Sequence, residues 1–126
     1  DIRQVQMAKG AIAAGIHLMC AKLAISPAEI HHMILAGAFG SYMNPESACR
    51  IGLLPQELQG KISAGGNLAG AGSKMTAVNK EQLSLAQHLL SRIEFLELAD
   101  LPAFQKTFAR CMGFVEESAG GFHNCK

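Results

Sequence analysis

Between Ile30 and Asn79 the chain runs twice from a short apolar stretch through a glycine turn into a helix start. The first copy is His31-His32-Met33-Ile34-Leu35-Ala36-Gly37-Ala38-Phe39-Gly40-Ser41, followed by Asn44-Pro45-Glu46-Ser47. An apolar run ending in small residues reads as a buried parallel strand whose backbone passes close to a ligand. Asn44 then stands where a helix N-cap belongs, with Pro45 at the first helical position. The second copy, Lys61-Ile62-Ser63-Ala64-Gly65-Gly66-Asn67 and then Leu68-Ala69-Gly70-Ala71-Gly72, repeats the plan. Two such units in succession predict an α/β sheet of the nucleotide-binding kind.

At 126 residues, with 49% hydrophobic and 17% charged side chains, the chain is one globular domain with enough apolar surface to bury a core. A formal net charge of +1 gives no reason to expect nucleic acid or an anionic membrane as partner. No apolar run approaches the roughly 20 residues a bilayer span requires. The cysteines, at positions 20, 49, 111 and 125, have no C-x-x-C spacing and are expected to be free thiols in a reducing cytoplasm. The opening Asp1-Ile2-Arg3-Gln4 has no signal-peptide character. It reads as the middle of a helix, so the chain is expected to be a piece of a longer protein.

Taken in order, residues 1–23 form a helix whose apolar stripe is Val5, Ala8, Ile12, Ile16, Met19 and Leu23. Gly10 and Gly15 interrupt it, each at a cost of about 1 kcal/mol relative to alanine. The cost points to close approach: tight packing at Gly15, and a ligand-facing role at Gly10, beside Lys9. Ser26-Pro27 breaks the chain. A helix follows from Asn44 to Gly52, with Gly52 as C-cap, then a short helical turn at Pro55-Gln56-Glu57-Leu58 and a strand at 61–65. Helices are expected from Leu68 to about Val78 and over 80–91, the latter burying Leu83, Ala86, Leu89 and Leu90. Ile93-Glu94-Phe95-Leu96-Glu97-Leu98 reads as an edge strand. Pro102 starts a last helix carrying Phe104, Phe108 and Met112 on one face, as core or as an interdomain contact. Residues 1–114 make the folded part, and 115–126 are expected to be a flexible tail.

No nucleophile–base constellation is visible, and the Gly-x-Gly-x-x-Gly and P-loop patterns are absent. Gly37-Ala38-Phe39-Gly40-Ser41 is either a cradle for an adenosine or phosphate, held by backbone N–H groups, or a structural strand-to-helix turn. His31 and His32 read as surface residues. His123 and Cys125 form an isolated H-x-C, too few ligands for zinc or iron, and no metal ligands are expected. Lys9 and Lys74 are the bases nearest the glycine turns, Lys74 reading as a solvated helix residue.

Several stretches taken together resemble one family. They are Asp1-Ile2-Arg3-Gln4-Val5-Gln6-Met7-Ala8-Lys9-Gly10-Ala11-Ile12, Leu35-Ala36-Gly37-Ala38-Phe39-Gly40, Asn44-Pro45-Glu46-Ser47-Ala48, Arg50-Ile51-Gly52-Leu53-Leu54-Pro55, Gly66-Asn67-Leu68-Ala69-Gly70-Ala71-Gly72 and Ile93-Glu94-Phe95-Leu96-Glu97-Leu98. These are similar to the C-terminal part of reductive activators of corrinoid proteins, in order and over nearly all of residues 1 to about 114. Members are iron–sulfur proteins whose large domain belongs to the sugar kinase, Hsp70 and actin superfamily of ATPases. The resemblance implies the C-terminal lobe of an actin-like (ribonuclease H-like) domain, an α/β fold with a short, mostly parallel sheet flanked by helices.

It also implies a mechanism. Corrinoid methyl-transfer proteins lapse from Co(I) to inactive Co(II), and the activator returns an electron from its iron–sulfur cluster while using ATP with Mg. The superfamily's adenosine motif falls on Gly37, Ala38, Phe39, Gly40 and Ser41, although Gly-Ala-Phe-Gly stands where two adjacent glycines are usual. Ala8-Lys9-Gly10 stands where Hsp70-like proteins carry Ala-Lys-Arg, which implies Gln6, Lys9 and Gly10 as nucleotide neighbours. Gly65, Gly66 and Asn67 are a structural turn first and a ligand contact second. The superfamily's first phosphate loop and the family's N-terminal iron–sulfur domain are not in these residues, so the fragment alone is expected to be inactive, with its cluster in another domain. Some relatives carry a C-terminal cysteine-rich region, which the His123-Asn124-Cys125 tail would begin.

The expected partner is a corrinoid protein of a methyltransferase system. Two rivals stand beside this reading: a sugar-kinase-like or Hsp70-like ATPase of the same fold, and a non-catalytic dimerisation or docking module forming a homodimer through an exposed Phe104/Phe108/Met112 stripe. Gly40→Val is expected to weaken ATP binding while the fold survives.

Overall fold

The computed structural model describes residues 1–114; the expected tail, with His123 and Cys125, lies outside them. The elements are α1 (Ile2–Lys22), β1 (Met33–Ala36), α2 (Gly37–Tyr42), α3 (Pro45–Arg50), β2 (Ile62–Gly66), α4 (Leu68–Val78), α5 (Lys80–Leu90) and α6 (Phe104–Cys111). Short 3-10 turns occupy Pro27–Glu29 and Gln56–Leu58. The two strands pair as a short parallel sheet, as a β–helix–β crossover requires. The chain divides into two compact units, one formed by 1–33, 44–62 and the described residues from 97 on, the other by 34–43 and 63–96.

The first unit has a core built on α1 and α6. Asp1 accepts from the Arg3 amide at 3.2 Å ahead of the first turn of α1. Its buried face, however, is Lys9, Gly10, Ala13, Ala14, Gly15 and Cys20. The expected apolar stripe is displaced: Val5 and Met19 are each 46% exposed and Leu23 is 68% exposed. The physical reason is the partner. Phe104 and Phe108, stacked with ring centroids 5.8 Å apart, pack against Ala13, Ala14 and Cys111, and only small residues leave room for them. A Cβ on Gly10 would lie 2.9 Å from the Met112 side chain, and one on Gly15 3.2 Å from Leu98. The aromatic stripe therefore packs, partly buried, against the core on α1, and Phe108→Asp would place a charge against that core.

The rest of this unit follows its local signals. Asn44 caps α3, its Oδ1 accepting from the Ser47 amide at 2.8 Å, with Pro45 in the first turn. Gly52, at φ +74°, follows the C-cap Ile51, and Leu53 donates to the Ala48 carbonyl at 2.9 Å, which completes a Schellman exit. Leu54 and Leu58 are buried below it. Lys61 Nζ donates to the carbonyls of Ala28 at 2.8 Å and Ile30 at 3.2 Å, fixing the approach to β1.

In the second unit α4 packs on α5, with Asn79 ending one helix and capping the other by accepting from the Glu81 amide at 2.8 Å. The expected inner face of α5 is open, with Leu83, Leu89 and Leu90 45%, 44% and 67% exposed. Residues 93–98 form no strand, a correction to the alternation read there: Ile93 is 69% and Phe95 82% exposed, so no sheet face orders them. No helix among the described residues is long and apolar enough to cross a membrane.

Candidate functional site

Both strand–glycine–helix units meet in the second compact unit. β1 ends at Ala36 and the chain enters α2 directly at Gly37, so the stretch expected as a turn is itself a short helix. Ser41 Oγ donates to the Gly37 carbonyl at 3.2 Å, closing that helix on itself. Gly40 is its one buried member. A Cβ there would overlap the Leu35 carbonyl oxygen and lie 2.9 Å from the Gly66 amide nitrogen. This close approach, which glycine alone permits, brings α2 against the ends of both strands. It also corrects the expectation for Gly40→Val: the added side chain meets backbone, and the fold would not survive unchanged.

Around this contact the backbone is open. Gly37 and Gly66 have φ of +64° and +58°, and a Cβ at either would meet nothing within 4 Å. Ala38 and Phe39 are exposed, Phe39 by 55%. Gly65 is packed under Leu68 and Ile34, which makes it a structural residue. Asn67 caps α4, its Oδ1 accepting from the Gly70 amide at 2.9 Å. The rest of the first turn of α4 carries no acidic side chain, so its free N–H groups and the positive end of the helix dipole suit an anion.

The α1 residues have a different setting. Lys9 is 2% exposed, and its Nζ donates to the Cys111 carbonyl at 2.7 Å and lies 5.7 Å from the Phe114 ring centroid. Its ammonium thus caps the C-terminus of α6, where cations are favoured, and burial holds its pKa below the ordinary value of 10.5. Gly10 is covered by Met112. Gln6 is half-buried. Lys9 and Gly10 are thus engaged inside the first unit by contacts that hold α6 to α1.

Cys20 and Cys49 are free, buried thiols whose pKa burial raises, with Glu57 adding to the effect at Cys49. Among the described residues no three His, Cys, Asp or Glu side chains gather as a metal would need. Two hollows in the first unit had no sequence signal. One, of about 430 Å³, lies beside Asn44, Glu46 and Gly60; the other, of about 390 Å³, is lined by His17, Cys20, Ile25, Pro27 and Thr107. Their residues are distant in sequence, and only folding assembles them.

The chain matches, over residues 1–126, the family model described as the C-terminal domain of RACo, the ASKHA domain. It is also 33% identical over 108 residues to a protein of Eubacterium limosum named corrinoid activation enzyme RamQ, covering 86% of this chain. The match spans only 18% of that relative's length. With its parallel strands and the helices that follow them, the chain belongs to the family of C-terminal ASKHA domains of RACo.

Proposed function

We propose that this chain is the nucleotide-binding C-terminal lobe of an ATP-dependent reductive activator, which returns a Co(II) corrinoid protein of a methyltransferase system to Co(I). Similarity to a corrinoid activation enzyme supports the corrinoid partner. The observation that carries the nucleotide reading is the contact of Gly40 with the Leu35 carbonyl and the Gly66 amide. It sets the short helix α2 beside the Gly65-Gly66 turn at the C-terminal ends of parallel strands, where ligands of open α/β sheets bind. Gly37, Ala38, Phe39, Gly66 and Asn67 then offer accessible backbone to the nucleotide, Ser41 holds α2, and Gly40 and Gly65 allow the packing beneath it.

Bound ATP, with Mg, supplies the free energy for the uphill electron transfer. What the lobe must do is bind nucleotide more tightly in one state of the activator–corrinoid complex than in another, since equal affinity shifts nothing. For a one-electron couple each tenfold difference in affinity corresponds to about 59 mV. An iron–sulfur cluster does not fit the described residues, whose cysteines are buried and scattered; in this reading it belongs to another domain of a longer protein.

The test follows the visible spectrum of a Co(II) corrinoid protein under anaerobic conditions, with the full-length activator, a reductant, and Mg-ATP added or withheld. A Co(I) band that requires ATP supports the reading, and reduction indifferent to ATP overturns it. Ala38→Glu places a carboxylate on the exposed start of α2 without touching the packing. It is expected to weaken ATP binding about tenfold or more, since like charges near 4 Å repel by about 1 kcal/mol in water and about 4 kcal/mol near a protein surface. Unchanged ATP affinity in the folded variant removes this turn from the site.

A further inference from the structure

We draw no further inference here: the strongest candidate, the apolar surface that Met75, Val78, Leu85, Leu90 and Phe95 expose on the second unit, carries nothing because nothing in the structure shows what covers it.

Discussion

Two helix exits use the same hydrogen-bond pattern with different residues at the left-handed position. After α3 it is Gly52, at φ +74°; after α1 it is Ala24, at φ +54°, where Ile25 donates to the Cys20 carbonyl at 3.0 Å and Ala24 to Ala21 at 3.1 Å. A non-glycine residue in this region is strained by roughly 1–2 kcal/mol. Ala24→Gly is therefore expected to stabilise the chain by about 1 kcal/mol, read as a raised denaturant midpoint at constant slope; a loss of stability would contradict the strain. His17 gives a pH signature. Burial lowers its pKa below the ordinary 6.5, and Glu57 partly opposes the shift. The unfolded chain then takes up the proton more readily than the folded one. The stability linked to this residue is complete above pH 6.5 and is lost as the pH falls through the depressed folded value. His17→Gln is expected to flatten the stability profile on the acid side of pH 6.5, measured by urea melts across that range. A profile as steep as the parent's would mean that other groups govern it.

At the scale of elements, the α1–α6 pair depends on a polar contact inside an otherwise apolar contact surface. Lys9 supplies a donor to the Cys111 carbonyl, one of the acceptors that a helix end leaves unpaired. Lys9→Met preserves the length of the side chain but removes the donor. Stability is expected to fall by about 1–3 kcal/mol, the cost of leaving a buried acceptor unmet, as measured by chemical denaturation. A neutral result would show that desolvation of the ammonium had cancelled the hydrogen bond, as it does in some buried ion pairs. The periodicity that placed α1 was sound, but it selected the wrong face. Hydrophobicity marks the large apolar residues, whereas Ala13 and Ala14 are buried because Phe104 and Phe108 need space, and Gly10 because Met112 does. The run at 93–98 failed for a related reason: alternation describes a strand only when a sheet is present to pair with it.

On the scale of the whole chain, burial is uneven. The buried hydrophobic side chains, among them Ala13, Ala14, Leu54, Leu58 and Cys111, belong to the first unit, whereas the second exposes Met75, Val78, Leu85, Leu90 and Phe95. Local opening is easiest where few apolar contacts must be broken. Native-state hydrogen exchange of the 126-residue chain is expected to leave the central amides of α1 and α6 as the slowest, with α4 and α5 exchanging earlier. Equal protection throughout would mean that the chain opens only as a single cooperative body.

The sequence by itself determined the local structure and the family. The cap at Asn44, the bounds of α4 and the glycine exit at Gly52 depend on backbone geometry and on residues a few positions apart, and those are written in order along the chain. Tertiary structure alone decided which face of α1 is buried, that Gly37–Tyr42 is helical, and that Lys9 serves α6. Each of these depends on groups far apart in sequence. Lys9 and Cys111 are 102 positions apart, and no local pattern encodes a contact whose energy comes from desolvation and packing against a distant partner.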